Sequence, residues 1–221
     1  MRFAGNLLAL DTAGHACSVA VINAQGQALF SQSKWMARGH AAALAPMTQA
    51  ALDRCGPESI AALAVTRGPG GFTGMRAGLA YARAFALARA LPLLAFDCFT
   101  ALRASVGPQR PCLIDSRRGD FFYDAPTAAA LDLPLGAGET YALVAPAALN
   151  LAEDLADGQV AGSIWRSAFG QQSLSDVPDR AGWVEPCPLK LAQLAQRALS
   201  EGQQQRWREA TPLYIRPPSI G

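Results

Sequence analysis

The sequence predicts an α/β protein built from two lobes, and three observations point to that fold class. The 221 residues suit one large domain or two lobes of roughly 100 residues, because a core of that size buries enough surface to be stable. Strand-like and helix-like segments alternate along the first half, as in α/β layer architectures. A weak internal repeat of about 100 residues then indicates that the second half begins in the same way.

The first three predicted elements are strands of an antiparallel meander. Each is short and rich in apolar residues, and together they cover residues 7–12, 17–24 and 28–35. The turn pairs Ala13-Gly14 and Gln25-Gly26 separate them, as expected for consecutive strands joined by tight turns.

Two helices and two further strands follow. The stretch "GHAAALAPMTQAALDRCG" has apolar residues at helical spacing and ends in a Gly-Pro stop signal. Residues 60–66 form an apolar run without a period of its own, which is typical of a strand covered on both faces. A second helix is predicted from about residue 72 to 91, before Pro92, and residues 93–97 form another short strand.

The order βββαβαβ resembles the ribonuclease-H-like core of each lobe in actin-like ATPases, although other α/β folds share it. The segment "LIDSRRGDFFYDA" echoes "ALDTAGHACSVAV" near the start of the chain. We therefore expect two ribonuclease-H-like lobes, residues 1–107 and 108–221. Within the second lobe, residues 140–144 and 159–164 are strand-like, and 147–156 and 189–199 are helix-like. The last helix is expected to pack back on the first lobe.

Composition excludes several classes of protein. The net charge is +2 and the basic residues are scattered, whereas autonomous nucleic-acid binding usually needs a concentrated basic face. Five widely spaced cysteines without a C-x-x-C pair argue against a disulfide framework and a zinc cluster. No apolar stretch approaches the roughly 20 residues of a membrane span. We therefore expect a cytoplasmic protein that does not bind membranes.

The stretch "VTRGPGGFTGMRAG" places a glycine-rich turn between a predicted strand and a predicted helix. It has neither the lysine of a phosphate-binding P-loop nor the third glycine of a dinucleotide-binding motif. We interpret it as a structural turn that directs the following helix. The turn comprises Gly68, Pro69, Gly70, Gly71 and Gly74.

Candidate catalytic residues are few. His15 and His40 are the two histidines of the chain, and neither belongs to an H-E-x-x-H zinc motif. Asp11 and Asp115 each end a predicted first strand, where actin-like ATPases place a carboxylate that faces the metal. An ATPase or small-molecule kinase that uses these two residues therefore remains the alternative hypothesis, and capping of turn N–H groups is the structural interpretation of the same residues.

Five segments have a characteristic order and spacing, namely "LALDTAGHACSVAV", "RGHAAALAPM", "RGPGGFTGMRAG", "LIDSRRGDFFYDA" and "TPLYIRPP". In these segments the chain resembles the bacterial TsaB (YeaZ) family. The resemblance extends from Leu8 to Pro218 and is weakest between residues 126 and 186. It implies the actin-like ATPase fold, in agreement with the predicted order of strands and helices.

The resemblance also implies a function. It indicates a non-catalytic subunit of the bacterial machinery that makes the tRNA nucleoside threonylcarbamoyladenosine (t6A). Family members bind TsaD, the catalytic partner, and TsaE joins that pair, so tRNA would reach this chain only through the complex. No catalytic residue, metal ligand or cofactor is implied for the chain itself. In isolation, the surface that binds TsaD could instead pair two copies of the chain.

In the family, the first two helices contact TsaD. The implied interface residues in this chain are His40, Leu44, Met47, Ala51, Met75, Arg76, Leu79 and Arg83. A smooth second helix with Gly78 in its interior would then admit the partner's backbone. Gly71 departs from the family, which commonly has serine there, and this removes a potential helix cap.

Overall fold

The computed structural model describes residues 3–108, 112–116, 118, 120–124, 142–144, 161–163, 185–203 and 209–215. The helix predicted over residues 147–156 lies outside these ranges. Within them, no helix is both long and apolar enough to cross a membrane.

The first sheet has five strands in the order β3-β2-β1-β4-β5. Its strands are β1 (Asn6–Asp11), β2 (Ala16–Ile22), β3 (Ala28–Trp35), β4 (Ile60–Thr66) and β5 (Leu93–Phe96). The strands β1, β2 and β3 pair antiparallel, which confirms the predicted meander. β4 pairs parallel to β1 and β5 pairs parallel to β4. Each parallel connection therefore carries a helix across the sheet.

A second sheet repeats this arrangement. It contains β6 (Cys112–Asp115), β7 (Phe121–Asp124), β8 (Ala142–Val144) and β9 (Ala161–Ser163) in the order β8-β7-β6-β9. β6 pairs antiparallel with β7 and parallel with β9, as β1 does with β2 and β4. The predicted sequence repeat therefore corresponds to two sheets whose first strands pair in the same way. The two sheets confirm the predicted α/β class and the actin-like ATPase fold.

Helices cover both faces of the first sheet. They are α1 (His40–Cys55), α2 (Phe72–Ala88), α3 (Cys98–Val106) and α4 (Pro188–Ser200). α1 and α2 bury apolar side chains in a core with one face of the sheet. α4 packs Leu191 and Ala195 against the other face, beside Leu7 and Ala9. The first sheet is thus covered on one face by a helix that follows the second sheet along the chain.

α3 is a helix that the sequence analysis did not predict. Asp97, which follows β5, caps it: the carboxylate accepts hydrogen bonds from the backbone N–H of Thr100 at 2.8 Å and from its hydroxyl at 2.7 Å. An aspartate three residues before a threonine is a recognisable N-terminal signal. The helix was not predicted because the interval between residue 97 and Pro108 is too short to show a clear helical period.

Candidate functional site

The glycine turn joins β4 to α2 and is held by two neighbouring segments. Gly71 donates its backbone N–H to the carbonyl of Ala13 at 2.7 Å, and Cys98 donates to the carbonyl of Gly68 at 2.8 Å. Gly68 has a φ of 95°, a backbone conformation that side chains disfavour. A Cβ on Gly70 would lie 2.3 Å from the oxygen of Ala13. The turn thus anchors the start of α2 to the β1–β2 turn and to α3.

α2 also lies unusually close to the end of β1. A Cβ on Gly74 would lie 2.3 Å from the backbone oxygen of Thr12, and a Cβ on Gly78 would lie 2.2 Å from its hydroxyl. That hydroxyl donates a hydrogen bond of 2.7 Å to the carbonyl of Gly74. The interpretation that Gly78 admits a partner's backbone is therefore wrong, because the close neighbour is the chain's own Thr12.

The residues implied for the TsaD interface are distributed unequally between core and surface. Six of the eight are buried in the chain's own core, namely His40, Leu44, Met47, Ala51, Met75 and Leu79. Arg76 is exposed and Arg83 is half-buried. Contact of these eight residues with a partner stays a prediction. Of the eight, only Arg76 and Arg83 have side chains that a partner can reach in this structure.

His40 begins α1 and contacts the β1–β2 turn. Its Nε2 lies 3.1 Å from the carbonyl oxygen of Gly14, and because a carbonyl can only accept, Nε2 is the donor. The side chain is 5% exposed. His40 therefore ties the first helix to the same turn that Gly71 contacts.

Asp11 ends β1 inside the core. One carboxylate oxygen, Oδ1, accepts hydrogen bonds from the hydroxyl of Thr66 and from the N–H of Ala13, the latter at 3.0 Å. The other, Oδ2, is buried and receives no hydrogen bond. Burial raises the pKa of Asp11 to about 6, against the lowering effect of these hydrogen bonds. Asp11 thus serves the local structure of the turn in this conformation.

The alternative catalytic residue, Asp115, ends β6 and contacts His15 of the β1–β2 turn. The Nε2 atom of His15 lies 3.2 Å from Oδ2 of Asp115, and both side chains are buried. The backbone N–H of His15 donates to Oε1 of Glu185 at 3.1 Å. Glu185 fills the space beside Gly14, since a Cβ there would lie 1.8 Å from Oε2. Sequence analysis missed Glu185, because nothing local links residue 185 to the first turn.

This arrangement has a chemical consequence for the hypothesis of an ATPase or kinase. A phosphate group at the β1–β2 turn would need the N–H that Glu185 already occupies, and it would meet a carboxylate there. Asp115 is already in contact with an imidazole. Among the described residues, no group of three or more His, Cys, Asp or Glu side chains is placed to share a metal ion.

The raised pKa of Asp11 predicts how stability depends on pH. The native state holds a proton on Asp11 up to about pH 6, whereas the unfolded state releases it near 3.8. Stability therefore falls between these two pH values, because the native state binds more protons. The loss is on the order of 3 kcal/mol.

Comparing the wild type with Asp11→Asn isolates this effect, because asparagine does not titrate. Chemical unfolding across this pH range should show wild-type stability falling relative to the variant and then levelling off above pH 6. A difference between the two proteins that does not change with pH would contradict the raised pKa.

The chain resembles known proteins in sequence. The family model of TsaD, described as tRNA N6-adenosine threonylcarbamoyltransferase, matches residues 30–124. The protein named tRNA threonylcarbamoyladenosine biosynthesis protein TsaB from Escherichia coli K12 is 33% identical over 124 residues, which is 53% of each chain. Its namesake from Haemophilus influenzae is 36% identical over 98 residues, 43% of this chain and 41% of the relative. The match thus spans about half the length of these curated relatives.

The likeness in structure covers nearly the whole chain. YeaZ from Pseudomonas aeruginosa superposes with a TM-score of 0.68 at 27% identity, covering 96% of this chain and 100% of YeaZ. A second structure, described as similar to peptidase YeaZ from Pseudomonas aeruginosa, gives a TM-score of 0.69 at 28% identity with the same coverage. The chain is thus similar to TsaB proteins in sequence over about half of its length and to YeaZ in fold over nearly all of it.

Proposed function

We propose that this chain is a non-catalytic assembly subunit of the bacterial t6A machinery, which binds TsaD and acts together with TsaE. The names of its curated relatives support a role in t6A biosynthesis. The match to the TsaD family model supports TsaD as the partner, since related chains often pair through equivalent surfaces. The same proposal places the chain in the cytoplasm, and it requires no cofactor.

The observation that carries the proposal is the outer surface of α1 and α2, which we call the alanine face. It is formed by exposed residues that are small for a helix surface, namely Ala41, Ala42, Ala45 and Ala50 of α1 and Ala80, Ala84 and Ala88 of α2. Alanine loses no side-chain entropy when it is buried, and it allows two helices to approach closely. A partner helix can therefore pack here at little entropic cost.

The buried residues of the predicted interface have a supporting role in this proposal. Leu44, Met47 and Ala51 hold α1 against the sheet, while Met75 and Leu79 do the same for α2. The spacing that brings these five residues to one side of each helix turns the alanines outward. Arg76 and Arg83 remain candidates for direct contact at the edge of the face.

The contacts around Asp11 and Asp115, which end β1 and β6, support a non-catalytic role for this chain, with catalysis carried out by TsaD. Asp115 is in contact with His15, and the β1–β2 turn already accommodates the carboxylate of Glu185. The alternative, an ATPase or kinase using Asp11 and Asp115, would require this cluster to open before a nucleotide could bind. No observed contact favours that alternative.

Light scattering of the chain mixed with TsaD from the same organism tests the proposal. We expect a single species whose mass is a sum of both chains at micromolar concentration, and a larger one when TsaE is added. A mixture of TsaE and TsaD without this chain is the control, because it shows whether TsaE binds TsaD in the absence of this chain. Species that stay separate at micromolar concentration would overturn the proposal, whereas a homodimer of the isolated chain would not, because TsaD can displace the second copy.

A further inference from the structure

A small cleft of about 60 Å³ lies beside the glycine turn. Its walls come from three parts of the chain: Phe72 and Met75 at the start of α2, Ser116 and Arg118 after β6, and Tyr214 near the C-terminus. None of the described residues that line it is acidic.

One edge of the cleft is a cluster of two aromatic rings and an arginine. The guanidinium carbon of Arg76 lies 3.8 Å from the centre of the Phe72 ring and 5.5 Å from that of Tyr214. The Nε–H of Arg76 donates a hydrogen bond of 2.6 Å to the hydroxyl of Tyr214. The two ring centres are 5.8 Å apart, and the rings are inclined by 35°. The three side chains therefore fix one another.

The side chains of Phe72 and Tyr214 are exposed, although both are in contact with Arg76. Phe72 is 40% exposed and Tyr214 is 37% exposed. The segment that carries Tyr214 is held to the glycine turn, since Leu213 donates its N–H to the carbonyl of Arg67 at 2.8 Å. An exposed cation–π contact contributes only about 0.5–1 kcal/mol. This contribution is small, so the stability of the fold does not by itself explain why two aromatic rings lie at the surface.

The chemistry of the cluster fits one class of ligand. An aromatic face binds a flat nucleobase by stacking, and a neighbouring guanidinium binds its phosphate. The hydrogen bond to Tyr214 uses one of the five N–H donors of Arg76. Arg118 lines the same cleft, so its charge also complements a phosphate. A base inside a duplex cannot reach the ring, because both its faces are already stacked.

We infer that the exposed cluster of Phe72, Arg76 and Tyr214 at the edge of this cleft binds one unpaired nucleotide of an RNA, with the base stacked on Tyr214 and the phosphate bound by Arg76. The inference rests on the proposed function, which supplies the RNA as the substrate of the complex. The scattered charge of the chain indicates that the cleft adds to a larger RNA surface on its partners, so binding by the chain alone is weak.

Fluorescence anisotropy of the chain in complex with TsaD tests the inference, with a labelled RNA hairpin as the probe at low salt. A fully paired duplex of the same stem, which offers no unpaired base, is the control probe. We expect Tyr214→Ala to weaken hairpin binding about tenfold, the typical contribution of one stacked base, with little effect on the duplex. Tyr214→Phe retains the ring, so it should bind the hairpin nearly as the wild type does.

Two arginine variants separate charge from stacking. Arg76→Ala should lower the salt dependence of hairpin binding by about one counterion, whereas Tyr214→Ala should leave it unchanged. Arg89→Ala is the matched control, because Arg89 follows the other end of α2 and pairs with Glu58. Thermal melting of each variant verifies that it folds.

Two outcomes would overturn the inference. In one, Tyr214→Ala binds the hairpin as the wild type does. In the other, AMP alone competes for the cleft as well as the hairpin does, which would identify a free-nucleotide site. Neither outcome bears on the proposed function, because assembly of Tyr214→Ala with TsaD is measured separately by light scattering and is expected to be intact.

Discussion

Replacing Ala80 with glutamate is expected to abolish assembly with TsaD at micromolar concentration. Ala80 is exposed on α2 within the alanine face, so a partner helix that packs there would meet a long carboxylate side chain in place of a methyl group, with Arg76 and Arg83 one turn away along α2. Overpacking a close helix contact costs about 1–3 kcal/mol, and removing the carboxylate from water adds to that cost, so we expect a loss of affinity of about 100-fold. Light scattering and calorimetric titration with TsaD measure the loss.

The same substitution at Ala28 is the matched control. Ala28 is also exposed, but it begins the edge strand β3, outside both helices. Ala28→Glu adds the same charge and should assemble normally. Both variants should fold with stabilities within about 0.5 kcal/mol of the wild type, as is usual for surface substitutions. If Ala80→Glu binds TsaD like the control, the partner uses another surface.

The second large effect is expected at Gly78. Gly78→Ala places a Cβ 2.2 Å from the hydroxyl oxygen of Thr12, which is itself buried and bonded to the carbonyl of Gly74. Overpacking of this kind costs about 1–3 kcal/mol, and the helix propensity of alanine recovers up to about 1 kcal/mol. We therefore expect a net loss of about 1–2 kcal/mol, measured by urea unfolding.

A double-mutant cycle with Thr12→Ala identifies the cause. Thr12→Ala alone should cost about 1 kcal/mol, because it removes the hydrogen bond to Gly74. In that background the hydroxyl is absent and the nearest remaining side-chain atom, the Cβ of residue 12, is at an ordinary 3.4 Å. Gly78→Ala should then be neutral or stabilising. Equal effects of Gly78→Ala in both backgrounds would show that the crowding has another source.

The fold was predictable because its signals are local. The short apolar segments of residues 7–35, the apolar run of 60–66 and the stop at Gly56-Pro57 each depend on neighbours in sequence. The second sheet was also predictable, because the segment around Asp115 repeats a short pattern found near the start of the chain. α3 was missed, since its nine residues carry little periodicity and its cap, Asp97, lies within the strand predicted over residues 93–97.

The candidate site was predictable only in part. Helical spacing identified the residues on one side of α1 and α2, such as Leu44 and Leu79, but periodicity does not distinguish a side that packs on the chain's own sheet from one that packs on a partner. Both interpretations place an apolar stripe at the same positions. Leu44 and Leu79 are buried in the structure, whereas Ala80 on the opposite side of α2 is exposed and accessible to a partner.

The sequence by itself determined the order of β1 to β5 with α1 and α2, the glycine turn and the likeness to TsaB proteins, because these depend on short patterns. The tertiary structure alone decided which groups meet. It placed Glu185 at the first turn, 170 residues from His15, and it brought Tyr214 to Arg76, 138 residues away. Such contacts arise from the packing of segments that are remote along the chain, and no local pattern carries that information.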